Sequence, residues 1–345
     1  MNVTQVFASR KLLVLLAVLV LILGIVTVIA HYIELSQSVT PEELPKPSIP
    51  ALVEKDKNLT FVFGGTFPEF PNRIGVYKLD ASVPELTVAQ ADWYRDQFKM
   101  SVAADYSDRA YTTYYYNEDS RSLSVSQNPL RLEYTDTAEH DVAKIDLSGK
   151  KTLSEWTNRF VDYDAILGSE YRLIDPTLTL KKRVDVYNLI EVDSLTDADI
   201  LTLSSYITYE GIPVLNQDRQ TYPVEILTEL DGHVIKATFS VFPPNPSFEG
   251  EVEVITPEKA VDALNGGSGS ISVLNDPNLV YSDVSTRDID SATIDTIEMV
   301  YIYDDDNLIF QPFYRLVGNA LKTNGRPIEI EVLLSAVPED FYSSQ

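Results

Sequence analysis

Nineteen consecutive residues without a charge, Leu12 to Ala30 (LLVLLAVLVLILGIVTVIA), constrain this chain more than any other stretch. At about 1.5 Å per helical residue the run spans roughly the 30 Å hydrocarbon core of a bilayer. Fifteen of the nineteen are Leu, Val or Ile. Each contributes up to about 0.3 to 0.6 kcal/mol to insertion near a helix centre, so Gly24 and Thr27 are tolerated. The run reads as one transmembrane helix over residues 12–33, with Leu12, Leu16, Leu19, Leu23 and Ile29 as anchoring side chains. A cleaved signal peptide would carry a shorter apolar region, about 7 to 15 residues. Arg10 and Lys11 precede the span and Glu34, Glu42 and Glu43 follow it. The positive-inside rule then places residues 1–11 in the cytoplasm and everything after the span outside.

Charge narrows the partners. The whole chain has 27 Lys+Arg against 52 Asp+Glu, and its first thirty residues hold only Arg10 and Lys11, so the remainder carries 25 against 52, a formal charge of −27. Nucleic-acid affinity rests on Lys and Arg neutralising phosphates, so no nucleic acid is expected as a partner. Anionic lipid headgroups are disfavoured for the same reason, and contact with lipid is expected through the one helix alone. The absence of cysteine removes disulfides, thiol catalysis, Cys-ligated zinc and a lipidated cysteine anchor.

Between residues 34 and 58 four prolines and many charges, with no helical or strand period, read as an extended, semi-rigid stalk. Beyond it we expect an α+β ectodomain of helix-plus-antiparallel-sheet units in two domains, 59–145 and 146–345. In the first, Ala91, Tyr94 and Phe98 share a helical face, and a tyrosine-rich hairpin turns at Asn117-Glu118-Asp119. The second opens on a helix over 152–168, capped by Thr152 and Glu155 and stopped by Gly168, with Leu153, Trp156, Phe160, Tyr163 and Leu167 as its core stripe. A further helix begins at Thr256-Pro257-Glu258 and ends at Asn265-Gly266. Ile328 to Val332 alternates strictly, as a half-buried strand does.

No motif for catalysis or metal binding is strong. Asp304-Asp305-Asp306-Asn307 sits between two apolar runs. A calcium loop needs ligands at alternating positions that curl round one ion. Contiguous acids between strands fit a hairpin turn, where Asp and Asn bond their own backbone. Asp288 and Asp290 alternate but are followed by Ala292 at the next ligand position. His31, His140 and His233 are scattered, Gly266 to Ser270 lacks the strand-to-helix context of a nucleophile elbow, and Ser148 to Thr152 lacks the order of a phosphate loop. We therefore assign no catalytic, cofactor or metal residues, and expect no cofactor.

The succession YPVEILTELDGHVIKATFSVFP, ITPEKAVDALNGGSGSISV, IEMVYIYDDDNLIFQPFYRLVG and IEIEVLLSAVP resembles the C-terminal part of the YycH/YycI-type, PepSY-like group. The resemblance lies in Glu258, Ala260 and Leu264 on the short helix, Gln311-Pro312 in the second strand of a long hairpin, and Ala336-Val337-Pro338 after the last strand. It covers about 120 residues, much of them the alternation any sheet shows. It implies a bacterial single-pass membrane protein with an extracytoplasmic domain that modulates a sensor kinase or another envelope protein, and it carries no catalytic residues. The expectation is a regulatory binding module, not an enzyme. The alternatives are a structural envelope protein with an acidic surface and a carboxylate-based hydrolase.

Overall fold

The computed structural model describes residues 44–45, 59–79, 86–104, 106–108, 112–127, 130–138, 166–167, 170–174, 177–184, 189–216, 222–230, 233–243, 245–275, 289–304 and 307–342. Strands β1 (Thr60–Phe63) and β2 (Arg73–Lys78) belong to a first sheet. Helix α1 (Val88–Gln97) leads to β3 (Tyr106–Asp108), β4 (Thr113–Glu118), β5 (Arg121–Ser126) and β6 (Arg131–Asp136) of a second sheet. The chain then alternates between the two. β7 (Tyr171–Leu173) returns to the first sheet, while β8 (Thr177–Arg183), β9 (Leu189–Glu191) and β10 (Ile200–Ser205) join the second. β11 (Ile207–Tyr209) and β12 (Ile212–Asn216) lie in the first, β13 (Val224–Glu229) and β14 (Val234–Ser240) in the second. β15 (Ser247–Glu253), helix α2 (Pro257–Asn265), β16 (Ser270–Asn275), β17 (Ile289–Asp304), β18 (Ile309–Lys322) and β19 (Pro327–Ser335) complete the first.

The β17–β18 hairpin is the spine of the first sheet. Near its turn it is flanked by β12, parallel to β17, and by β2 on β18; near its open end the neighbours are β1, also parallel to β17, and β19. Pro312 sits where the outer edge of β18 changes partner, after the Phe310–Tyr77 pair and before the Phe313–Ser335 pair. A residue without an N–H loses least at such a gap, and its carbonyl still accepts from the Ala336 N–H at 3.1 Å. Between Ile294 and Thr296 the register of β17 slips, so Asp295 bulges out of the ladder opposite Gly318. A Cβ on Gly318 would stand 2.0 Å from the Thr293 carbonyl oxygen, so only glycine lets the two strands close there.

Phe310, fully buried, is the centre of the packing. The rings of Tyr171, Tyr209, Phe242, Tyr301 and Tyr303 surround it with centroids 5.7 to 6.4 Å away. Phe242 follows the last residues of β14, so this cluster ties the end of a second-sheet strand to the spine of the first. One apolar cluster runs through both sheets and both helices. Thr87 and Gln90 cap α1 reciprocally, and the helix lays Ala91 and, at its end, Phe98 on the second sheet, Phe98 stacking on Tyr134 at 5.4 Å. At the end of α2, Asn265 accepts from the Phe61 N–H and donates to its carbonyl, closing the free edge of β1 as a strand residue would.

The α+β expectation is corrected by this architecture. Strands dominate, two of their pairings are parallel, and the apolar faces are covered mainly by sheet residues and only locally by helices. α1 does form over the stretch that holds Ala91 and Tyr94, and α2 forms where Thr256-Pro257-Glu258 and Asn265-Gly266 place its ends. Of the helix expected over 152–168 only Ile166 and Leu167 are described, both helical and buried. Pairing crosses residue 145 in both sheets, through β6 with β14 and through β1 with β17. Among the described residues no helix is long and apolar enough to cross a membrane. The expected span 12–33, with Leu12, Leu16, Leu19, Leu23 and Ile29, and its flanking Arg10 and Lys11, lies outside them. Within the expected stalk, Leu44 and Pro45 are docked. Leu44 is buried, its N–H donates to the Phe341 carbonyl, and Gln311 Nε2 donates to the Pro45 carbonyl at 2.9 Å.

Two outcomes test this packing. Gly318→Ala is expected to destabilise by at least about 2 kcal/mol, since the methyl meets backbone that cannot move without breaking the bulge, and urea unfolding measures it. Burial pushes the Tyr94 and Tyr342 phenols up to about 12, burial and Asp136 do the same for Tyr134, and burial and Glu258 for Tyr314. Their neutral forms are favoured in the folded chain. Stability is therefore complete below the ordinary tyrosine value near 10 and falls as pH rises from about 10 to about 12. Denaturation midpoints read beside tyrosinate absorbance should fall across that window; midpoints flat to pH 12 would contradict it.

Candidate functional site

The outer face of the first sheet carries a cleft of about 550 Å³, lined by Tyr206 and Tyr222 at the junction with the second sheet, by Arg315 and Asn319 of β18, and by Asp295, Glu329 and Glu331 of its neighbours. Tyr206 is the single residue between β10 and β11. Its carbonyl accepts the Ile174 N–H at 3.0 Å, which fixes the crossing, and its ring lies under the Arg315 guanidinium, 5.3 Å from centroid to Cζ.

Because side chains alternate along a strand, Arg315 and Asn319 share one face of β18, while Leu316 and Ala320 point to the core. Arg315 Nε donates to Glu331 Oε2 at 2.7 Å and Nη1 to Glu298 Oε2 at 2.9 Å. The other Glu331 oxygen accepts from Ser272 at 2.8 Å. Arg315 and Glu331 are largely withdrawn from water, at 16% and 11% side-chain exposure, whereas Glu298 keeps 44%. Burial works against the Arg315 charge, but Glu331, Tyr206 and Glu298 outweigh it and hold the guanidinium above its ordinary value. One row thus runs across four strands, Glu298, Arg315, Glu331 and Ser272.

A second row lies beside it. Asn319 Nδ2 donates to Asp295 Oδ2 at 2.8 Å, Asn319 stands opposite Glu329, and Asn275 Nδ2 lies 3.4 Å from Glu329 Oε2. The bulge that Gly318 permits is what turns Asp295 to this face. At the other end of the cleft Asn216 is buried. Its amide donates to Ser240 Oγ at 2.7 Å, and its Oδ1 accepts from nothing among the described residues. Each central residue in the two rows belongs to β18, and each donates to an acid on β17.

The features singled out in the sequence lie elsewhere. Asp304 is buried and folds the turn, with its two oxygens accepting from the Asn307 N–H at 3.1 Å and from Asn307 Nδ2 at 2.8 Å. Tyr114 and Tyr116 pack beneath α1, donating to the Leu86 carbonyl and to Asp92. His233 lies 3.5 Å from Asp136. Gly266 to Ser270 is the turn out of α2, and Ser268 and Ser270 line a separate cavity of about 400 Å³. His31, His140, Asp288 and the Ser148 to Thr152 stretch lie outside the described residues. The sequence reading missed Arg315, although it is the one charge in the apolar run Ile309 to Val317, and the alternation from Ile328 to Val332 gives no sign that the Glu331 carboxylate is covered by that arginine.

No family model matches the chain, no curated protein matches its sequence, and no solved structure matches its fold. The resemblance to the YycH/YycI-type group therefore rests on the residues quoted for it.

Removing one member of a buried pair strands the other. Arg315→Met is expected to cost about 3 kcal/mol by leaving Glu331 without its cation, whereas Arg315→Met combined with Glu331→Leu should recover most of that loss. A double-mutant cycle by chemical denaturation measures the coupling; additive losses would show that the pair is not coupled.

Proposed function

We propose that this chain is a membrane-anchored, extracytoplasmic regulatory module that binds a protein partner through the cleft around Arg315. The observation that carries the reading is the construction of the cleft. Its polar groups are tied to one another across four strands in donor-to-carboxylate pairs, so they present a preorganised recognition surface. The uncharged run Leu12 to Ala30, flanked by Arg10 and Lys11, supports the anchor and its orientation. The resemblance to the YycH/YycI-type group supports a partner in the same membrane, such as a sensor kinase. The strongly negative ectodomain favours fast encounter with a positively charged partner surface.

Photocrosslinking in the membrane, with the full-length protein beside a version whose residues 12–30 are replaced by an unrelated membrane helix, tests this function. One integral partner, captured by the natural chain and lost or much reduced on replacement, is the expected outcome. Recovery only of wall polymer by both versions would overturn it in favour of a structural envelope role.

A further inference from the structure

The two polar rows of the cleft differ at one position. In the first, a cation from β18, Arg315, bridges Glu298 and Glu331. In the second, the β18 residue four positions on is Asn319, set between Asp295 and Glu329. Row one carries two acids and one cation, row two carries two acids and none. Asn319 has an amide to donate but no charge to offset either carboxylate.

In the two rows most side-chain donors are already engaged, while carboxylate oxygens remain. Arg315 Nε and Nη1, Asn319 Nδ2, Asn275 Nδ2 and Ser272 Oγ are already directed at carboxylates. Asp295 Oδ1 and Glu329 Oε1 take no hydrogen bond from the described residues. Asn216, 6% exposed, brings a further buried acceptor without a partner among the described residues. An acceptor-lined cleft with two uncompensated charges calls for an occupant that only donates and is positive. An ammonium has three donors and no acceptor, and a guanidinium has five donors and none. The walls suit the same occupant, since Tyr206 already carries one guanidinium on its face and Tyr222 lies beside it at 4.9 Å. A bare metal ion fits less well, because among the described residues no three His, Cys, Asp or Glu side chains converge.

We infer that the second row is completed from outside: the cleft takes a lysine or arginine side chain on an extended segment of the protein partner, with its cation seated over Asn319 between Asp295 and Glu329. The inference rests on the cleft being the contact surface, and it names what that surface reads. Arg315 is the built-in counterpart of the incoming side chain.

The test uses full-length protein in nanodiscs of zwitterionic lipid and labelled extended heptapeptides that differ only at the central residue, Lys, Arg or norleucine, read by fluorescence anisotropy at low salt. Saturable binding of the Lys or Arg peptide, at least tenfold tighter than the norleucine peptide and weakened at high salt, is expected. Asn319→Arg should supply the missing cation internally, reduce that binding at least tenfold and leave the melting temperature unchanged or higher. Asp295→Asn with Glu329→Gln should also abolish it. No binding of either basic peptide, or binding indifferent to both variants, would overturn the inference. Equal competition by spermidine or by calcium at the peptide's own concentration would overturn the choice of a peptide side chain. Because the anchor-replacement capture is scored separately, a captured partner together with silent peptides would sink this inference alone, while loss of the partner would sink the regulatory reading.

Discussion

Pairing of β17 with β18 is the constraint on which the rest of the first sheet hangs. Both strands are far longer than the five or six residues usual for strands, and their length lets one hairpin serve two sets of neighbours, β12 and β2 near the turn and β1 and β19 near the open end. Three local devices make that length workable. Asp304 folds the turn with both carboxylate oxygens, Pro312 marks the change of neighbour on the outer edge, and Gly318 admits the bulge at Asp295. Phe310, two residues before Pro312, then fastens the spine to the end of β14 through the aromatic cluster.

The cleft inherits its precision from the same hairpin. A slip of one residue between two strands would send Arg315 into the apolar cluster and Leu316 into the cleft, so the register that satisfies the core also sets the polar rows. Burying the Arg315–Glu331 pair adds little net stability compared with an apolar pair of similar size. Its value lies in penalising every register in which the two do not meet. Tyr206 extends the arrangement to the second sheet, because the residue that carries the chain from β10 to β11 is also the one whose ring lies against the guanidinium.

How much of this was legible in the sequence follows from the range of the interactions. The cap at Thr256, the alternation from Ile328 to Val332 and the turn at Asp304 are local, and each was readable from neighbouring residues. Strand exchange between sheets is not local. The stretch 200–209 reads as one strand and is two, in different sheets, because a single residue makes the crossing. Parallel pairing of β1 and β12 with β17 depends on residues far apart in the chain and leaves no local signal. The cleft was hidden for a related reason, since Glu298, Arg315 and Glu331 meet only through register. Leu44 carries no signal of its own that it is covered; the proline-rich stretch around it suggested only an extended spacer.

That docking of Leu44 and Pro45 changes a length. With the anchor over residues 12–33 as proposed, a spacer running free to residue 58 would hold 25 residues and reach up to about 85 Å at 3.3 to 3.6 Å each. Fastened at Leu44 to the C-terminal Phe341 and at Pro45 to Gln311, it leaves only residues 34–43, ten in all, with a reach of about 35 Å. The folded body would then be leashed within about 35 Å of the bilayer. The shorter leash concentrates the body near other proteins of the same membrane, and effective concentrations in the millimolar range are typical of short flexible tethers. Modest intrinsic affinity then suffices for a membrane neighbour, and the same surface stays nearly blind to proteins free in solution.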